Sequence, residues 1–227
     1  MSERLQEDQH PSHDAMRVLL VDDHDLFRTG LRNLLEEQGV HVVGEASAGA
    51  EALRLVRELT PDVIVMDLNM PGMSGVEATR HITAVAPLTR VLVLTISDQD
   101  GDVMDAILAG ACGYLLKDAS IQDLMRGIEA AFFGESLISP HIAAKVLQRI
   151  RATSTSPEIA EIIRSELSDR EVQVLKLIAN GKDNAQIAAE LHISPKTVKN
   201  HISNILMKLQ IENRIQAAVY AVRSGIV

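Results

Sequence analysis

The sequence contains few aromatic residues and a single cysteine, and each scarcity excludes a class of protein. Three Phe, two Tyr and no Trp among 227 residues are too few to line a large aromatic ligand pocket or to stack on single-stranded bases. The lone Cys112 excludes an intramolecular disulfide framework and a cysteine-based zinc site. We therefore expect a protein of the reducing cytoplasm, with Cys112 as a small core residue rather than a redox sensor.

Long apolar runs are also missing. No segment approaches the ~18 consecutive apolar residues of a membrane span, and the polar residues 1–15 lack the apolar stretch of a signal peptide. We expect these residues to form a flexible tail, and we expect no membrane partner. The apolar fraction of 46% still argues for a folded chain, whose length fits one large domain or two ordinary ones.

Charge is unevenly distributed along the chain. Averaged over all residues, the formal charge of −9 argues against nucleic-acid binding. However, residues 1–166 hold 26 acids and 14 bases, whereas residues 167–227 hold five acids and eight bases. Because the second part is mildly basic, the acidity of the whole chain does not exclude DNA binding by that part.

The first half alternates short apolar runs with amphipathic stretches of helical spacing. The apolar runs are Arg17–Val21, Val40–Ala46, Asp62–Met66, Arg90–Thr95 and Cys112–Leu116. Consecutive apolar residues are typical of strands that are buried on both faces of a parallel sheet. We therefore predict an α/β domain over residues 16–135, with a five-stranded doubly wound parallel sheet.

After residue 135 the pattern becomes helical. We predict a helix over Ser139–Ile150 and a linker at Arg151–Pro157, within a connecting segment of residues 136–166, and then an all-α domain of four helices over residues 167–227. The expected helix signals are a capping box of Ser168 with Glu171, a stop at Asn180-Gly181, a cap at Asn184, and starts at Ser194-Pro195 and Asn213.

Charged and polar side chains follow the predicted strands at their C-terminal ends, where open parallel sheets carry their ligand sites. These side chains are Asp22 and Asp23 after the first strand, Asp67 after the third, Thr95 at the end of the fourth and Lys117 after the fifth. Each alone has an ordinary explanation, such as a helix cap or a solvated lysine. Together, three carboxylates require a hard cation such as Mg²⁺, and a carboxylate beside a metal and a lysine can attack phosphorus.

The motifs around these residues resemble the receiver domain of bacterial two-component response regulators. They are Val21-Asp22-Asp23-His24, Met66–Gly75, Leu94-Thr95 and Gly113–Asp118, spread over residues 16–135. The resemblance implies a flavodoxin-like fold in which Asp67 accepts a phosphoryl group from a phosphohistidine of a cognate sensor histidine kinase.

The resemblance also implies roles for the neighbours of Asp67. Lys117 would pair with one phosphoryl oxygen, Thr95 would turn its hydroxyl towards another, and Tyr114 would rotate inward behind it as a switch. The implied Mg²⁺ ligands are Asp23, Asp67, the backbone carbonyl of Asn69 and, largely through water, Asp22.

An aspartyl phosphatase or phosphotransferase is the competing interpretation of this pocket. Enzymes of the haloacid dehalogenase type carry a second Asp two residues after the nucleophile, whereas this sequence has Asn69, which cannot act as a general acid. We therefore predict a regulator that catalyses only its own phosphorylation and dephosphorylation. We hypothesise that Asn69 and Ser97 flank the phosphoryl group and tune its hydrolysis.

The segment from Asn184 to Leu209 has the form of a helix, a tight turn and a second helix. The second helix has an apolar face and carries no acid between Pro195 and Lys208, which suits a recognition helix in the major groove. Its apolar face consists of Val198, Ile202, Ile205 and Leu209. The expected contacts are Ser194, Lys196 and Thr197 with DNA phosphates and Lys199, Asn200 and Ser203 with bases.

Residues 167–227 resemble the LuxR-type DNA-binding domain, and the whole chain is similar to NarL/FixJ-type response regulators. This resemblance implies a transcriptional regulator whose C-terminal domain is released or dimerised on phosphorylation and then binds double-stranded promoter DNA. A small-residue face on the final helix suits either dimerisation or plain core packing; it consists of Ala217, Ala218, Ala221 and Val222.

Two other classes share parts of this pattern. A quorum-type ligand sensor has the same DNA-binding domain, but the scarcity of aromatic residues and the acidic cluster argue against it. An interaction module that is phosphorylated without binding DNA is disfavoured by the lysines on the acid-free helix face.

Overall fold

The computed structural model of the chain describes residues 16–97, 99–138, 142 and 157–226. The predicted tail, the linker residues 151–156 and all of the predicted helix Ser139–Ile150 except Ile142 lie outside the described residues. Among the helices that are described, none combines the length and hydropathy needed to cross a bilayer.

Five parallel strands form one sheet in the order β2-β1-β3-β4-β5. They are β1 Arg17–Val21, β2 His41–Ala46, β3 Val63–Met66, β4 Arg90–Thr95 and β5 Gly113–Leu116. Each lies within one of the five predicted runs. Val21 pairs in register with Met66, so the acids that follow β1 and β3 leave the sheet side by side.

Helices cover both faces of this sheet, as the doubly wound class requires. They are α1 Asp25–Glu37, α2 Gly49–Leu59, α3 Gly75–Val85, α4 Asp100–Leu108 and α5 Ile121–Phe132. Alternate residues of β1 face opposite ways: Val18 and Leu20 pack with α1 and α5, whereas Leu19 and Val21 pack with α2 and α3. The predicted fold class of the first domain is confirmed.

The C-terminal part is entirely helical among its described residues. Its helices are α6 Pro157–Glu166, α7 Asp169–Ala179, α8 Asn184–Leu191, α9 Pro195–Lys208 and α10 Arg214–Arg223. The predicted apolar face of α9 is buried in one core with residues of α7, α8 and α10. Ile163 of α6 is fully buried in the same core, so residues before 167 also contribute to it.

Most predicted helix signals are confirmed, but one is wrong. Ser168 and Glu171 form a capping box at α7, and Ser194 and Asn213 cap α9 and α10. The cap of α8 is Asp183 rather than Asn184. The Asp183 carboxylate accepts from the backbone N–H of Gln186, whose side chain accepts in turn from the backbone N–H of Asp183.

We expect Asp183→Ala to lower the free energy of unfolding of the C-terminal helices by about 1 kcal/mol, because the first turn of α8 loses a hydrogen-bond acceptor. Asp183→Asn keeps an acceptor oxygen and should cost less than half as much. Urea unfolding followed by circular dichroism measures both variants. Equal stability of Asp183→Ala and the parent chain would contradict the assignment of the cap.

Candidate functional site

Two buried aspartates and one lysine meet at the C-terminal edge of the sheet. Asp22 and Asp67 leave β1 and β3 with exposures of 5% and 2%. The Nζ atom of Lys117, which follows β5, lies 2.6 Å from Asp22 Oδ2 and 2.7 Å from Asp67 Oδ2. Three residues that were predicted to converge from separate strands therefore form one ion-paired cluster.

The environment of Lys117 keeps its side chain charged. Burial acts to lower the pKa of Lys117, but hydrogen bonds to Asp22 and Asp67 outweigh it and raise that pKa above its ordinary value. The Nζ atom also lies 4.5 Å from the centroid of the Phe27 ring, a cation–π distance. The pocket therefore holds a fixed positive charge beside the Asp67 carboxylate.

The same edge offers a set of metal-ligating atoms. One ligand atom each from Asp22, Asp23, His24 and Asp67 lies within 4.8 Å of the others. Asp23 Oδ1 is buried and accepts no hydrogen bond from any described residue, although His24 Nδ1 lies 2.9 Å away. A buried carboxylate oxygen without a hydrogen-bond partner fits a hard divalent cation such as Mg²⁺. His24, for which no role was predicted, belongs to this set because it directly follows Asp23.

The loop after β3 places Asn69 between the acid cluster and β4. The Asn69 backbone N–H donates to Asp67 Oδ1 at 3.3 Å, and its side-chain Nδ2 lies 3.4 Å from the hydroxyl of Thr95. Thr95 is fully buried at the end of β4. Asn69 thus contacts both Asp67 and Thr95; ligation by the Asn69 carbonyl stays a prediction.

Tyr114 of β5 already points into the protein, so the predicted inward rotation does not start from a solvent-exposed position in this structure. Its side chain is fully buried, and its hydroxyl donates to the backbone carbonyl of Ser97 at 2.8 Å. The Ser97 hydroxyl in turn donates to the carboxylate of Asp102 on α4, and the Ser97 backbone N–H faces the Thr95 hydroxyl at 3.4 Å. Tyr114 and Thr95 are therefore connected through one residue of the β4–α4 loop.

Two supporting residues of the pocket were not singled out by the sequence. Arg28 donates to the backbone carbonyl of Asp22 at 2.5 Å and pairs with Glu45 at 3.1 Å, which holds the acidic loop. Gly75 lies directly beneath the Asp67 loop: a Cβ atom there would lie 2.0 Å from the Asp67 carbonyl oxygen. Gly75 appeared in the sequence analysis only as the last residue of the Asp67 motif. Arg28 belonged to no predicted motif.

The second candidate site is the polar face of α9, which we define as Lys196, Lys199, Asn200 and Ser203. All four residues are exposed. The Nζ atom of Lys208 lies 2.7 Å from Glu171 Oε2, an ion pair that fixes the far end of α9 to α7. The face is therefore both accessible and held on a rigid helix, as groove contacts require.

The start of α9 is organised by two hydroxyl groups. Ser194 Oγ accepts from the Thr197 backbone N–H at 3.1 Å and lies 2.8 Å from the Thr197 hydroxyl. Further along, the Ser203 hydroxyl donates to the Lys199 backbone carbonyl at 3.1 Å. This bond within the helix competes with donation from Ser203 to a base.

The small residues of α10 serve core packing. Ala217 and Ala221 are fully buried in the core of the C-terminal helices. Val222 instead packs with residues of α4 and β5. Of the two interpretations left open for this face, core packing accounts for its two most buried residues.

Comparison with known proteins gives matches over nearly the whole chain. Residues 18–129 match the model of the response regulator receiver domain, and residues 165–221 match that of the bacterial regulatory proteins of the luxR family. The transcriptional regulatory protein LiaR of Bacillus subtilis is 46% identical over 213 residues, which cover 93% of this chain and 99% of LiaR. The response regulator protein VraR of Staphylococcus aureus is 40% identical over 214 residues, covering 94% and 99%.

Solved structures of response regulators also match most of the chain. The response regulator ChrA of a heme-sensing two-component system is 36% identical, with a TM-score of 0.52 over 94% of this chain and all of ChrA. A structure of two RcsB dimers bound to two parallel DNAs is 26% identical, with a TM-score of 0.54 over 93% of this chain and 99% of that one.

We expect Gly75→Ala to lower the free energy of unfolding by more than about 1 kcal/mol, because the added Cβ forces the Asp67 backbone to move. Gly30→Ala is the matched control: its Cβ on α1 meets no atom of the described residues within 4 Å and should stabilise the chain by about 0.5–1 kcal/mol through lower backbone entropy of the unfolded state. Urea unfolding measures both. If Gly75→Ala were as stable as Gly30→Ala, the close approach beneath Asp67 would be refuted.

Proposed function

Because the chain belongs to the two-component response regulators that join a receiver domain to a LuxR-type DNA-binding domain, we propose that phosphorylation of Asp67 by a sensor histidine kinase controls its binding to promoter DNA. This membership confirms the predicted resemblance and the prediction that the chain is a transcription regulator rather than an enzyme. The observation that carries the proposal is the buried Asp67, whose carboxylate is paired with Lys117 beside further metal-ligating atoms.

The two oxygens of Asp67 suit different roles in phosphoryl transfer. Oδ2 is bound to Lys117 Nζ at 2.7 Å, whereas Oδ1 accepts only a 3.3 Å contact from the Asn69 N–H among the described residues. We assign Oδ1 as the nucleophile: it bonds to phosphorus while the phosphorus–nitrogen bond of the kinase phosphohistidine breaks and the imidazole nitrogen keeps the electron pair. A Mg²⁺ ion held by Asp23, Asp67 and the Asn69 carbonyl, with Asp22 through water, would neutralise charge on the phosphoryl oxygens.

The phosphoryl group then acquires new partners within the receiver. Lys117 contacts one phosphoryl oxygen, and the Thr95 hydroxyl turns to another. Since Thr95 is connected to Tyr114 through Ser97, movement of Thr95 changes the packing of Tyr114. Charge-assisted hydrogen bonds at Asp67 are in this way converted into a change at the α4–β5 side of the domain.

The output is DNA binding in the cytoplasm by the C-terminal helices. We assign residues 16–135 to the receiver and 167–227 to the DNA-binding domain, with 136–166 as the connection. Lys199, Asn200 and Ser203 enter the major groove, while Ser194, Lys196 and Thr197 contact phosphates. A homodimer of the phosphorylated chain places two copies of α9 on paired half-sites.

We expect incubation with phosphoramidate and Mg²⁺ to add the mass of one phosphoryl group to the protein, and Asp67→Asn to abolish this addition, because the amide is a poor nucleophile. Asp105→Asn removes an exposed acid of α4 and serves as the control that keeps the addition. Intact-protein mass spectrometry measures all three. Phosphorylation that survives in Asp67→Asn would refute the assigned acceptor.

We expect Lys196→Ala to weaken DNA binding and to reduce the slope of log affinity against log salt by about 0.9, because one phosphate-directed charge is lost. Lys176→Ala removes an exposed lysine of α7 and should leave the slope unchanged. Fluorescence anisotropy with random-sequence duplex DNA over a range of salt concentrations measures the slopes. Equal slopes for both variants would argue against α9 as the DNA-facing helix.

A further inference from the structure

The last helix, α10, is packed on two sides. Ala217 and Ala221 face the core of the C-terminal helices. On the opposite side, Ile215 and Val219 are buried in a cluster with residues of α4 and β5 of the receiver. The receiver therefore covers an apolar face of α10, and the two domains share this small core.

Two side-chain amides tie this interface to the receiver backbone. Asn213 Nδ2 donates to the carbonyl of Ala111, and Gln216 Nε2 donates to the carbonyl of Ile107, both at 3.0 Å. Asn213 and Gln216 are 4% and 9% exposed. Ile107 lies in the last turn of α4, where its carbonyl also accepts from the Gly110 backbone N–H at 3.0 Å, and Ala111 lies in the turn that follows. Losing either bond would leave a buried amide N–H group of Asn213 or Gln216 without its acceptor.

In each side-chain amide, the oxygen accepts hydrogen bonds within the C-terminal domain and the nitrogen donates one to the receiver. Asn213 Oδ1 accepts from the backbone N–H groups of Ile215 and Gln216, and Gln216 Oε1 accepts from that of Glu212. The oxygens thus organise the start of α10, whereas the nitrogens bind the receiver. The interdomain bonds can therefore be removed without removing the intradomain ones.

The receiver turn after α4 is shaped for this contact. Gly110 has a φ of +104°, and a Cβ atom there would lie 1.8 Å from Glu212 Oε2 and 2.8 Å from Thr83 Cγ2. The segment before α10 thus lies directly against a turn that has no side chain. Meanwhile the polar face of α9 is exposed, so the receiver holds α10 and leaves the predicted DNA-facing helix uncovered.

The apolar face of α10 packs beside Tyr114, which is connected to the Asp67 pocket. Tyr114 is fully buried in the same cluster as Ile215 and Val219, and its hydroxyl is bonded to Ser97 of the β4–α4 loop. A rearrangement of Tyr114 therefore changes the packing beneath α10.

We propose that Asn213 and Gln216 form an interdomain latch that holds α10 on the end of α4, and that rearrangement of Tyr114 on phosphorylation releases it. This inference rests on the proposed function. In the latched chain the DNA-facing helix is accessible, so the latch controls separation of the two domains and not access to α9.

The test uses the full chain carrying Asn213→Asp and Gln216→Glu. Each substitution keeps the oxygen that α10 needs and replaces the donor nitrogen with an oxygen that repels the receiver carbonyl. We expect amide hydrogen exchange at residues 109–111 and in α10 to become at least about tenfold faster. Gln173→Glu, a matched change on the exposed surface of α7, should leave exchange at both places unchanged.

Cys112 reports whether the receiver itself stays folded. It packs in the cluster with α1 and α5, on the other face of the sheet, and burial raises the pKa of its thiol to about 12. We expect its reaction with a disulfide reagent at pH 8 to be as slow in the double variant as in the parent chain. Faster exchange accompanied by a reactive Cys112 would mean unfolding and would contradict the proposal, as would unchanged exchange.

Coupling to the pocket is tested with beryllium fluoride and Mg²⁺ on the parent chain. We expect the same faster exchange at residues 109–111 and in α10, because the fluoride complex occupies the position of a phosphoryl group on Asp67. Unchanged exchange, with mass spectrometry showing that phosphoramidate does modify Asp67, would overturn the latch while leaving the proposed function intact. Loss of phosphorylation would instead fault the proposed function, and the double variant would still report on the latch contacts.

Discussion

Electrostatic repulsion among carboxylates is the constraint on which the rest of the molecule depends. The order of strands in the sheet brings Asp22 and Asp67 side by side, and both are nearly inaccessible to water. Close buried negative charges are tolerated only with a balancing cation, and Lys117 supplies one by pairing with both. Any group that enters the pocket must compete with this lysine or complement it, so binding and charge rearrangement are inseparable there.

A short series of contacts connects this pocket to the last helix. It runs through the β4–α4 loop at Ser97, then through Tyr114, to the apolar side of α10. Each step is a buried contact or a hydrogen bond between neighbours. Because interiors are close-packed and shift between discrete arrangements rather than deforming smoothly, a small displacement near Thr95 suffices to alter how the C-terminal helices rest on the receiver.

The sequence predicted the sheet well because its strands are consecutive apolar residues, and it predicted the pocket because polar residues end those strands. It misplaced the cap of α8, since Asp183 and Asn184 are both capping types; only Gln186, three residues after Asp183, distinguishes them. The interdomain contacts were beyond prediction. Asn213 and Gln216 bind backbone carbonyls more than a hundred residues away. Because every residue has a backbone carbonyl, a sequence pattern does not indicate which one will accept the hydrogen bond. The functional roles of the site residues remain predictions.

The use of backbone carbonyls as hydrogen-bond acceptors between the domains has an evolutionary consequence. Because the amides bind the main chain of Ile107 and Ala111, substitutions at those two receiver positions leave the hydrogen-bond acceptors in place. These hydrogen bonds therefore place no demand on the side chains of residues 107 and 111, which are constrained instead by packing in the cluster shared with α10. Gly110 is the exception, since any side chain there would collide with Glu212. Selection at this boundary should therefore act on the path of the backbone and on the apolar packing of the shared cluster.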